Sequence, residues 1–141
     1  STERLRVGTP AIVQLSVLDA ALDAWNHVDM AELRAASVAL SECFIREVAT
    51  RCPMLKLASP HNSAQRGSQV SFAFEHGYAA IQALTDRGVI GDFRAPTIMR
   101  FGFAPLYLDE GDVMRAVAII EEVMSGELWR DPKYQVVSRV T

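Results

Sequence analysis

The apolar residues of this chain change period around Pro53, and that change constrains the fold more than any other feature. Upstream they recur at helical spacing. Ile12, Leu15, Leu18, Leu22 and Trp25 form one run. Met30, Leu33, Leu40, Phe44 and Val48 form a second, with Ser37 filling the gap in phase. Thr9-Pro10 predicts the start of the first helix, threonine as cap and proline at the first helical position. That helix ends near Asn26-His27. Asp29-Met30-Ala31-Glu32 opens the second in the manner of a capping box. It runs to Arg51 or Cys52, because Pro53 has no N–H with which to continue it.

Downstream the period drops to two. Val70, Phe72 and Phe74 alternate with Gln69, Ser71 and Ala73, the pattern of a half-buried strand. Gly77 to Arg87 predicts a short helix with Ile81 and Leu84 inward, and Gly88 punctuates it. Val89-Ile90 begins a short strand, Arg94-Ala95-Pro96 turns the chain, and Ile98 to Phe103 is the next strand, antiparallel to the first. Asp109 or Glu110 opens a last helix. Its stripe is Val113, Val117, Ile120 and Val123 or Met124, and Gly126 closes it. The predicted order is helix, long helix, strand, strand, helix, strand, strand, helix. The fold class is therefore α+β: a small antiparallel or mixed sheet with helices packed on one face, preceded by a long helix.

Several function classes lose support from composition. A length of 141 residues fits one domain. The net charge of −3 comes with no Lys/Arg block, so nothing favours nucleic acid or a membrane surface as partner. No apolar run approaches a membrane span. Cys43 and Cys52 form no CxxC pair and suggest no disulfide framework, which fits a reducing cytosol. Ser1-Thr2-Glu3-Arg4 carries no signal-peptide pattern and reads as a cut end rather than a natural beginning.

Two positions could carry chemistry. Arg100 sits mid-strand with Ile98 and Gly102 on its face, while Met99, Phe101 and Phe103 face the core. A charge in an apolar strand needs a partner. Gly102 leaves room for one, and a guanidinium fork suits a carboxylate bidentately. The other reading of Arg100 is an ion pair within the fold, or plain exposure. Thr9, preceded by Gly8, combines a hydroxyl with the free N–H groups of a helix N-terminus, which suits a phosphate; the other reading is capping alone. His27, His61 and His76 are isolated and predicted to be solvated, with no metal-ligand spacing. Cys43 and Cys52 are expected to pack. Asp109, Glu110 and Asp112 are expected to serve the last helix's N-terminus, Glu121 and Glu122 to face solvent, and Trp129 to anchor the tail. No catalytic side chain and no metal site is assigned.

The string from Arg87 to Pro96, RGVIGDFRAP, followed by Arg100-Phe101-Gly102-Phe103-Ala104-Pro105-Leu106-Tyr107, resembles the C-terminal signature of the bacterial kynureninases. Arg6-Val7-Gly8-Thr9-Pro10 resembles that family's segment at the junction of its large and small domains, and Gln65 to Ser71 its small-domain strand. The resemblance runs from about Arg6 to Trp129. It implies the small C-terminal domain of an aspartate-aminotransferase-type enzyme that uses pyridoxal 5'-phosphate (PLP) to hydrolyse L-kynurenine to anthranilate and L-alanine in tryptophan breakdown. It implies that residues 1–28 are a junction segment and helix belonging to the large-domain interface, and residues 29–141 the small domain. By the same resemblance Arg100 grips the substrate α-carboxylate. Thr9, with Gly8, meets the PLP phosphate across the interface of a cytoplasmic homodimer.

The family's Schiff-base lysine lies upstream of its Val-Gly-Thr-Pro segment. Here the lysines are Lys56 and Lys133, and neither matches it. The expectation is a truncated fragment, inactive alone. The alternatives are a related PLP enzyme of aminotransferase or desulfurase type, or a non-enzymatic α+β domain that binds a partner through its first helix. Cys43, mid-helix, and Cys52, against Pro53, disfavour the desulfurase.

Overall fold

The computed structural model describes residues 11–136. These fall into two compact units divided after Glu32. The expected helix start at Thr9-Pro10 lies outside the described residues.

In the first unit, helix α1 (Ile12–Leu22) passes into a 3-10 turn over Asp23–Trp25. Asn26 Nδ2 donates to Asp23 Oδ1 at 3.2 Å and closes the turn, where the sequence predicts the helix to end. Apolar side chains occur on more than one side of α1, because Val13 and Val17 join Ile12, Leu15, Leu18 and Leu22, and none of its residues is buried. Asp29 caps the next helix, its Oδ1 accepting from the amides of Ala31 and Glu32 at 2.7 and 3.0 Å.

Helix α2 (Met30–Arg51) ends where Pro53 requires. Ser37, Leu40, Phe44 and Val48 are buried along the predicted stripe, with Ser41 and Cys43 beside it. Ser37 is tolerated there because its hydroxyl donates to that of Ser68 at 2.8 Å. The strands are β1 (Lys56–Leu57), β2 (Gln69–Ala73), β3 (Asp92–Arg94) and β4 (Ile98–Gly102). They make one antiparallel sheet in the order β1-β2-β4-β3. Helix α3 (Gly77–Thr85) links β2 to β3, and α4 (Glu110–Ser125) and the short α5 (Pro132–Gln135) follow β4.

The period-two pattern sorts the sheet's faces. Val70, Phe72, Met99 and Phe101 are buried. The Phe44 ring of α2 meets Phe72, Phe101 and Phe103 at centroid distances of 5.9, 5.3 and 5.1 Å. Helix α3 lies on the same face. A Cβ at Gly77 would stand 3.1 Å from Met99 Cγ and from the Phe93 ring, tighter than an ordinary contact, so the glycine eases this approach. The opposite face, with Gln69, Ser71, Ala73, Asp92, Arg94, Arg100 and Gly102, remains partly or fully exposed. This is the expected α+β sheet with helices on one face.

One boundary differs. The strand predicted from Val89 begins only at Asp92. Gly88 takes a φ of +86°, and the Val89 amide returns to the Leu84 carbonyl at 3.0 Å, so Val89 is buried as part of the helix ending rather than of a strand. Gly91 then passes so close to α3 that an added Cβ would lie 2.7 Å from Ile81 Cδ1.

Candidate functional site

The exposed face of the sheet carries one row of polar side chains across its three longest-paired strands. The register places Ser71 of β2 and Asp92 of β3 directly opposite Arg100 of β4, on either side of it. Alternation along β4 sends Met99 and Phe101 into the core and leaves Arg100 on the open face, as the sequence predicts.

Arg100 Nη2 donates to Asp92 Oδ2. The side chain of Arg100 keeps 26% of its exposure and that of Asp92 53%. Arg94 Nε stands 3.9 Å from the same Asp92 oxygen. Arg100 Nε is buried and has no hydrogen-bond partner among the described residues. The Asp92 bond is the one side-chain hydrogen bond of Arg100 among the described residues, and with 26% of its side chain exposed the guanidinium keeps N–H groups for a second acceptor. Space exists for one: a Cβ built on Gly102, on the same face, would meet nothing within 4 Å. The internal ion pair and the remaining N–H groups coexist, so the two sequence readings of Arg100 do not exclude one another. A planar cation of this kind can hold a carboxylate through two parallel N–H bonds and fix its orientation. It cannot exchange protons near neutral pH, so its chemistry is positioning.

Thr9 and Gly8 lie outside the described residues. The two lysines are engaged elsewhere. Lys56 Nζ donates to the Pro53 carbonyl at 3.0 Å, and Lys133 Nζ to Asp86 Oδ2 at 3.0 Å. A cleft of about 950 Å³ runs between α3 and the β3–β4 hairpin, with Asp92 and Arg94 on its wall, but Arg100 is not part of its lining.

Of the other residues singled out, Cys43 and Cys52 are both buried. Burial, with the charge of Glu121 adding to it, pushes the Cys52 thiol up to about 11. That is the reverse of what a sulfur nucleophile needs, and it argues against the desulfurase alternative at this cysteine. Asp109 and Asp112 form a reciprocal capping box, each side chain accepting from the other's amide at 2.9 and 3.0 Å. The bond from the Asp109 amide, with the bond and charge of Arg115 adding to it against desolvation, holds Asp112 below its ordinary value. Trp129 is buried, as expected of an anchor. His76, predicted to be solvated, is exposed but stacks on the Trp129 ring at 4.4 Å and 15°. Among the described residues no group of three or more His, Cys, Asp or Glu is placed to hold a metal ion, and no helix is long and apolar enough to cross a membrane.

Sequence reasoning missed Asp92 as the partner of Arg100. The signal was present: in a hairpin turning at Arg94-Ala95-Pro96, Asp92 and Arg100 are cross-strand neighbours. Starting the strand at Val89 concealed it.

Comparison with known proteins adds a family. Residues 33–120 match the family described as "Kynureninase C-terminal domain". The chain is 46% identical over 140 residues to a kynureninase of Pseudomonas fluorescens, and 44% identical over 140 residues to those of Burkholderia mallei (strain SAVP1) and Burkholderia pseudomallei (strain K96243). Each alignment covers 98% of this chain and 34% of the relative, so the chain spans about a third of the length of these relatives.

Proposed function

This chain belongs to the kynureninase C-terminal domain family, and on that premise we propose that it works within a longer PLP-dependent enzyme that hydrolyses L-kynurenine to anthranilate and L-alanine. In this reading Arg100 binds the α-carboxylate of the substrate amino acid. The observation that carries it is the guanidinium itself: tethered to Asp92 through one N–H and still partly exposed on the open face of the sheet.

PLP, when bound, supplies the electron sink that a carbon–carbon cleavage beside an amino acid requires. The described residues fit a substrate clamp and not a cofactor anchor. Lys56 and Lys133 are both exposed, and each makes one bond within the chain, to the Pro53 carbonyl and to Asp86. Thr9 and Gly8 are the residues of this chain that would meet the cofactor phosphate, from the neighbouring subunit of a cytoplasmic homodimer. The anchoring lysine would come from the remainder of the longer protein, and the 141 residues alone would be inactive.

What Arg100 contributes is orientation. A bidentate carboxylate bond removes two rotations of the bound amino acid and fixes the reacting carbon's position. The test is Arg100→Lys in the full-length protein, which keeps the charge and loses the fork. With PLP absorbance unchanged, kcat/KM for anthranilate release should fall roughly 100-fold, the scale of one lost charge-assisted pair. Retained kcat/KM would remove Arg100 from the site. A wild-type protein that binds PLP and releases no anthranilate would point to a sister PLP activity instead.

A further inference from the structure

We propose that Asp92 is a positioning residue that aims the Arg100 guanidinium at the substrate carboxylate. The inference rests on the reading of Arg100 given above and extends it to a residue that touches neither substrate nor cofactor.

The geometry begins with register. Asp92 and Arg100 are directly opposed on β3 and β4, and both side chains stand on the open face. Asp92 is short, and its carboxylate is fixed close to its own strand. Arginine is long and has many rotamers, so a free Arg100 on an open sheet face would sample a wide volume. The bond from Nη2 to Asp92 Oδ2 removes most of that freedom. It uses one N–H of the fork only. Nε is buried without a partner, and Nη1 and the second N–H of Nη2 have no partner among the described residues either, so with the side chain 26% exposed those two remain for a carboxylate. Asp92 thereby sets which way the fork points before any substrate arrives, and pre-organisation of this kind improves affinity by removing an ordering cost from the binding step.

A purely stabilising role explains the pair poorly. Asp92 is half exposed, and solvent-exposed ion pairs contribute little to folding. Arg94 Nε, at 3.9 Å from the same oxygen, stands as a second cation beside Asp92. On the other side of Arg100 stands Ser71, too short and too weak an acceptor to do the same.

The experiment uses the full-length PLP-loaded protein. Asp92→Asn is close to isosteric and removes the charge, and Asp92→Glu restores it on a longer stem. KM and kcat are measured for L-kynurenine, and the inhibition constant is measured for the corresponding amine that lacks the α-carboxylate. Aiming through Arg100 predicts that Asp92→Asn raises KM about tenfold with a smaller change in kcat, leaves the amine's inhibition constant within about twofold, and adds nothing further in an Arg100→Lys background. Asp92→Glu should recover part of the loss. The proposal is overturned if Asp92→Asn weakens amino acid and amine equally, which marks general disruption, or if KM stays the same or falls. Arg100→Lys alone separates this from the function itself. If it fails to distinguish amino acid from amine, the carboxylate reading falls and Asp92's role with it. If it does distinguish them while Asp92→Asn does not, only the role of Asp92 falls.

Discussion

Two arginines leave a buried Nε without a hydrogen-bond partner among the described residues, and their surroundings give them opposite work. Arg100 stands on an open face with one carboxylate. Arg66 is 8% exposed, and its guanidinium is surrounded. Nη1 donates to the carbonyls of Pro60 and His61, both at 2.9 Å, and Nη2 to Ser41 Oγ and Glu42 Oε1. From α2, Arg34 Nη2 reaches the carbonyls of Ser63 and Arg66 at 2.6 and 2.9 Å. These two cations tie the loop before β2 to α2, Arg34 through the carbonyls of Ser63 and Arg66, and Arg66 through Ser41 and Glu42. Arg66→Met, which keeps most of the side-chain volume, should cost about 1–3 kcal/mol, read from urea unfolding, because it takes the donor from partly buried acceptors and the cation from Glu42. A change under half a kcal/mol would mean that water replaces the guanidinium. Nothing in Gln65-Arg66-Gly67-Ser68 announces this role. An arginine between glutamine and glycine reads as surface until the loop's carbonyls are located in three dimensions.

At the scale of elements, the C-terminal turn-and-a-bit of α5 is held to α3 by charge. Asp86 Oδ2 accepts from Lys133 Nζ at 3.0 Å and from the Tyr134 hydroxyl at 2.9 Å. The Lys133 bond first, then that of Tyr134, holds the Asp86 carboxyl below its ordinary value. Bonds to Tyr134 and then Asp86 hold Lys133 above its own. A depressed carboxyl stabilises the folded state above its unfolded pKa of about 3.9 and loses that contribution as pH falls through the folded value. A raised amine stabilises fully below about 10.4 and loses the contribution as pH rises through its folded value. The docking of α5 should therefore loosen at both extremes and hold between them, visible in the ring resonances of Tyr134. Asp86→Asn should flatten the acid side; an unchanged acid profile would mean that another carboxylate governs it. None of this cluster was legible in the sequence, because Asp86 and Lys133 are distant in the chain and only the fold joins them. The helices were legible for a local reason: α2 has a cap at Asp29, a stripe through Val48 and a stop at Pro53. Gly126 closes α4 as predicted, yet it keeps a right-handed φ of −78°, and Glu127 takes the left-handed turn at φ 49°. Side-chain patterns cannot assign such a detail.

Across the second unit one core runs from Leu40 on α2 through the sheet to Tyr134, and the two thiols report on it differently. Cys52 is 0% exposed at the end of α2, between Val48 and Leu55 of the same core. Its thiol, pushed up to about 11, is almost wholly protonated at pH 8, and the thiolate is the reacting form. Cys43 is 6% exposed, with Arg46 Nη2 at 3.4 Å and Glu110 Oε1 at 3.9 Å from its sulfur, nearer the polar margin of the helix. A thiol reagent should therefore reach Cys43 through local opening and Cys52 only when the core separates. In a Cys43→Ser background, the labelling rate of Cys52 becomes a measure of unfolding of the whole unit. Phe44→Ala removes the ring that joins α2 to Phe72, Phe101 and Phe103, a loss on the order of 3–5 kcal/mol. Labelling of Cys52 should then accelerate by about two to three and a half orders of magnitude, since each 1.4 kcal/mol is a factor of ten in the open population. If Cys52 labels at the same rate with and without Phe44, the end of α2 opens independently of the sheet. The platform behind Arg100 would then be held by β2, β3 and α3 alone, and Phe44→Ala would leave any carboxylate binding proposed for Arg100 intact.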